Sequence, residues 1–67
     1  MSTAVSVTLL QARVLITTGR CQAAHADACL RDGASATAEE WRTLAKHNLN
    51  DALLLIRLAE HEREYIQ

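Results

Sequence analysis

The chain has 67 residues, enough for one domain at most, and a formal net charge of −1. At this length a single core barely offsets chain entropy, so metals, disulfides or association usually assist. Near-neutral charge argues against a phosphate-seeking surface, and a 49% hydrophobic content with only 3% aromatic residues suits close helix packing better than a ligand cavity.

Residues 1–12 lack a basic n-region, and Arg13 and Arg20 interrupt the apolar run far short of a membrane span. A cytoplasmic protein is expected. Pro is absent and Gly occurs only at positions 19 and 33, which favours a few long elements.

The first element is read as a helix over about residues 3–31. Val5, Leu9, Ala12, Ile16, Gly19, Ala23, Ala26 and Leu30 alternate steps of four and three, as in a coiled-coil seam. A rival reading starts from the alternation Val5-Ser6-Val7-Thr8-Leu9 and the β-branched Val14, Ile16, Thr17 and Thr18. A strand there, followed by two helices, would resemble the ribbon-helix-helix repressors. Their strand offers polar or basic side chains to DNA, whereas this segment offers only Ser and Thr.

The same helix carries a second apolar row on nearly the opposite face: Val7, Leu10, Val14, Cys21 and Ala28, with Thr17 and His25 beside it. Arg13, Arg20, Asp27 and Arg31 crowd one narrow flank. A helix apolar on two faces must be covered on both. One hairpin partner covers only one, so Val7, Leu10, Val14, Cys21 and Ala28 are expected to form a homodimer interface that completes a four-helix bundle.

Cys21, His25 and Cys29 follow at i, i+4 and i+8. Adjacent pairs could each touch a zinc ion, but three successive turns cannot wrap one ion tetrahedrally, so no metal is expected. Both cysteines are read as small apolar residues of the dimer seam. About 12 Å separates them along one helix, too far for a disulfide, although a bridge across the dimer axis at Cys21 is open.

Asp32-Gly33-Ala34-Ser35 is the stretch with turn chemistry, and Gly33 suits the position after a helix end. A second helix is expected over about 37–66, opened by Thr37 and Glu40 as a capping box. Its seam reads Ala38, Arg42, Ala45, Leu49, Ala52, Ile56, Ala59, Arg63 and Ile66. Folding back at Gly33 pairs large with small: Leu9 with Ala59, Ala12 with Ile56, Ile16 with Ala52, Gly19 with Leu49. The Ala23–Ala45 layer is thin, with Trp41 or Leu44 expected to fill it. Asn48 either fixes the pairing register from inside the apolar arc or reaches solvent.

Beside that seam run His47, Asp51, Leu54, Leu58, His61 and Tyr65. Leu54, Leu58, His61, Tyr65 and the neighbouring Ile66 form the candidate partner-binding surface, apolar anchors rimmed by charge. The alternative is that the second subunit covers them. His47 and His61 sit on a convex surface with no nucleophile nearby, and no catalytic residue or cofactor is expected. Glu60, Glu62 and Glu64 read as a solvated end interleaved with Arg57 and Arg63.

An Ala-rich hairpin dimer of this length resembles Rop-like copy-number regulators in architecture, without a shared motif. That resemblance implies RNA binding through helix 1, for which only Arg13, Arg20 and Arg31 could serve. In size and helical make-up the chain is also similar to small phage-encoded anti-activators that sequester LuxR-type transcription factors. This implies a non-enzymatic dimer that binds and inhibits a larger host protein. A structural assembly subunit is the third possibility.

Overall fold

The computed structural model describes the backbone of residues 3–66 and the side chains of residues 3–64. Two helices make up the fold, α1 (Thr3–Arg31) and α2 (Ser35–Ile66), packed along their whole length as a hairpin about 52 Å long. Residues 5–9, which could have formed a strand, are helical. β-branched residues cost a helix only a few tenths of a kcal/mol each, and burying one side of α1 outweighs that.

The turn is fixed by backbone geometry. Gly33 has φ +82°, a conformation that costs a residue with a Cβ about 1 kcal/mol. Its N–H donates to Leu30 O at 3.1 Å and Ala34 N–H donates to Cys29 O at 2.8 Å. These are the two bonds of a Schellman stop, which satisfy carbonyls left free at the end of α1. The next N–H bond, Ala38 to Ala34 O at 2.9 Å, makes Ala34 the residue preceding α2. Thr37 therefore lies inside the first turn, and the capping box expected there does not open the helix.

What holds the pair together is one residue per heptad from each helix. Val5, Ala12, Gly19 and Ala26 from α1 and Ala38, Ala45, Ala52 and Ala59 from α2 are buried. Both rows recur every seven residues and are made almost wholly of Ala and Gly. Small residues let the backbones approach, so the stabilisation comes from close contact along the length rather than from large buried side chains. The predicted notch is present: a Cβ on Gly19 would lie 2.9 Å from Leu49 Cγ.

Two parts of the expected seam differ. Leu30 is half exposed and Arg42 and Arg63 are exposed, because they sit on the outer edge of the contact rather than at its centre. The place of that edge on the other side is taken by a row the hydropathy pattern did not select, buried or half-buried throughout: Thr8, Leu15, Gln22 and Cys29 of α1 with Glu62, Leu55, Asn48 and Trp41 of α2.

Candidate functional site

That second row carries the polar chemistry of the interior. Gln22 Oε1 accepts a 2.7 Å hydrogen bond from Asn48 Nδ2 across the helix pair. Asn48 is thus inside the contact and bonded, not turned out to solvent. Thr8, 8% exposed, has its hydroxyl 2.9 Å from Ala4 O and 3.2 Å from Glu62 Oε1. One proton serves these two acceptors in turn. Glu62 therefore belongs to the helix–helix contact, not to a solvated glutamate cluster. Near the turn, His25 stacks on Trp41 with ring centroids 5.0 Å apart and planes at 23°. Trp41 is half-buried in this stack, while Leu44 remains half exposed. His25 is accordingly a partner of Trp41 rather than a member of the outer row of α1.

The outer row of α1 is open. Leu10 and Val14 are 59% and 58% exposed, Val7 is similarly open, Cys21 is exposed and Ala28 is half-buried. Three shallow grooves run along this helix. One, of about 450 Å³, is lined by Leu10, Gln11, Val14, Leu15 and Leu55. A second, of about 360 Å³, lies among Leu10, Arg13, Val14, Thr17 and Thr18. A third, of about 350 Å³, is floored by Thr17, Cys21 and Ala24 beside Arg20. The row thus has large side chains at its start and small ones towards its end.

Cys29 departs from expectation. It is half-buried in the row facing α2, so it packs within the hairpin rather than on the outer row. Both cysteines are free, Cys21 exposed. Among the described residues no three His, Cys, Asp or Glu side chains come together as a metal site.

On α2, Leu54 is 60% and Leu58 48% exposed, and His61 is exposed. Tyr65 and Ile66 continue the helix, but their side chains lie outside the described residues. Leu44 precedes Leu58 by two heptads and is open to the same degree; it extends the candidate surface and was detectable from that spacing. Leu53 is also exposed, on the flank shared with Lys46 and Glu60. An exposed ion pair, Arg42 to Glu39 at 3.8 Å, lies on that flank too and contributes little.

No helix among the described residues is long and apolar enough to cross a membrane. Comparison with protein-family models, with curated proteins and with solved structures gives no match.

Proposed function

We propose that this protein is a small non-enzymatic regulator that self-associates and binds a larger protein through α2, inhibiting or sequestering it. The observation that carries the reading is the run of exposed leucines, Leu44, Leu54 and Leu58, on a helix whose opposite side is already satisfied by α1. Apolar residues in a rim of His47, Asp51 and His61 have the make-up of a recognition surface. A cytoplasmic bacterial target, such as a transcription regulator sequestered by a phage-encoded anti-activator, fits the size and the near-neutral charge.

The grooves along α1 are shallow and lined mostly by apolar and hydroxyl side chains, with Gln11, Cys21, Arg13 and Arg20 among them, a make-up that suits contact with another surface. RNA recognition would need Arg13 and Arg20, and these flank apolar grooves rather than a basic surface.

Affinity capture from bacterial lysate with wild-type and Leu58→Asp baits tests the reading. A protein retained by wild type and lost with Leu58→Asp, at unchanged self-association, is the expected result. Equal recovery of nucleic acid by both baits, lost on raising salt and on Arg13→Ala/Arg20→Ala, would replace it with the RNA-binding role.

A further inference from the structure

We infer that a second copy of this chain docks on the outer row of α1, antiparallel, with the two-fold axis passing Thr17. The inference rests on the self-association proposed above and adds its surface, symmetry and register.

The first support is area. The hairpin exposes 5027 Å² at a mass of 7.4 kDa, whereas a compact protein of that mass exposes about 4,200 Å². The excess of about 800 Å² is comparable with what each partner contributes to a standard-size interface. The elongated shape, 52 × 13 × 10 Å, shows where the excess arises: the hairpin is a rod only two helices wide.

Size complementarity then selects the arrangement. Val7, Leu10 and Val14 occupy the first half of the outer row, and Cys21, Ala24 and Ala28 the second half. A parallel pair would stack large on large at one end and leave a gap at the other. An antiparallel pair about Thr17 sets Val14 against the partner's Cys21, Leu10 against the partner's Ala24, and Val7 against the partner's Ala28. Leu10 and Val14 thereby enter the groove floored by Thr17, Cys21 and Ala24. Large-on-small layering fills space without voids. Thr17 is also the midpoint of α1, so this register overlaps the two helices along their full length.

The charged groups on the flank of this seam are Arg13, Arg20, Asp27 and Arg31, with Arg13 and Arg20 nearest its centre. In this register Arg13 lies beside the partner's Arg20, so the edge is repulsive and apolar packing drives the association. The two α2 helices remain on the outside, where Leu54 and Leu58 stay available to a target.

Cysteine geometry gives a direct test. Each Cys21 would sit about 12 Å along the axis from the partner's Cys21, beyond disulfide reach. Thr17, on the axis, would face its own copy. Sedimentation at about 100 μM protein should give a dimer, with the dissociation constant raised at least about 100-fold by Val14→Asp, which buries a charge. Val14 is 58% exposed in the hairpin, so helical circular dichroism should be unchanged in that variant. In a Cys21→Ala/Cys29→Ala background, Thr17→Cys should cross-link rapidly under mild oxidant, while wild type should not form a Cys21–Cys21 bridge within the dimer. A dimer that survives Val14→Asp, or that cross-links through Leu58→Cys instead, overturns the assigned surface and leaves self-association standing. A wild-type monomer at that concentration overturns both, without bearing on capture of a target through Leu58.

Discussion

Gly19 lies beneath Leu49 so closely that any side chain at residue 19 would meet Leu49 Cγ at 2.9 Å, Leu49 Cδ2 at 3.1 Å and the carbonyl oxygen of Ala45 at 3.3 Å. The Leu49 contacts could relax, since that side chain is partly exposed; the backbone carbonyl of α2 cannot move without separating the helices. Gly19→Ala therefore sets an overpacking cost of about 1–3 kcal/mol against a gain in helix propensity of about 1 kcal/mol. A net loss of about 1 kcal/mol is expected, read as a fall of roughly 4–8 °C in Tm. Adding Leu49→Ala should not recover the Gly19→Ala loss, because the contact with the Ala45 carbonyl remains. If Gly19→Ala alone raises Tm, the close approach is not what places glycine here.

The Gln22–Asn48 bond joins the helices from inside their contact. Removing one partner leaves the other half-buried and unbonded, at a cost of about 1–3 kcal/mol. Asn48→Ala and Gln22→Ala should each destabilise, and their double-mutant cycle should show a coupling of about 0.5–1.5 kcal/mol. Replacing both with Leu should raise Tm while weakening the preference for this register, since polar pairs specify alignment more than they stabilise it. Additive single losses would show that the bond is not held in solution.

His25 shields one face of Trp41. Truncation in His25→Ala should shift the Trp41 emission maximum to longer wavelength as water reaches the ring, and lower stability by about 0.5–1.5 kcal/mol. Because the chain has one Trp, the fluorescence change reports this stack alone. An unchanged spectrum would mean that the rings are apart in solution.

Gly33 has open space around its missing Cβ and a φ of +82°. Gly33→Ala should therefore cost only the backbone strain, about 1 kcal/mol, and Gly33→Asn less, since Asn tolerates this region. Thermal unfolding of both variants, compared in rank, checks the Schellman stop without disturbing any packing.

In the inferred dimer the Arg13 and Arg20 edges oppose each other, which would make association sensitive to salt in an unusual direction. Screening at about 0.5 M salt, where the Debye length falls to a few ångströms, should tighten the dimer, and Arg20→Gln should do the same at low salt. A dimer that loosens as salt rises would require opposite charges across the seam.

Much of this fold was legible from residue spacing. The Asp32-Gly33-Ala34 turn, the extent of α1 and the pairing of Gly19 with Leu49 all follow from breaker chemistry and from a seven-residue repeat of small side chains. Those signals are local, or are repeated often enough to survive a single exception. The start of α2 was misplaced by two residues because Thr37 and Glu40 have capping chemistry that the Schellman turn, ending at Ala34, left unused.

What only the tertiary structure decided is which edge of the seam closes. By hydropathy Leu9, Ile16, Leu30 and Leu49 outrank Thr8, Gln22, Asn48 and Glu62, and by spacing Arg42 joins them. Yet the latter row lies inside the contact and Leu30 and Arg42 do not. A polar side chain is costly to bury only while it lacks a partner, and Gln22 finds Asn48, as Thr8 finds Glu62, only once two helices distant in sequence lie side by side. The sequence alone determines that α1 is apolar on two sides. The folded chain shows that one of those sides is met by α2 and that α2 does not cover the other.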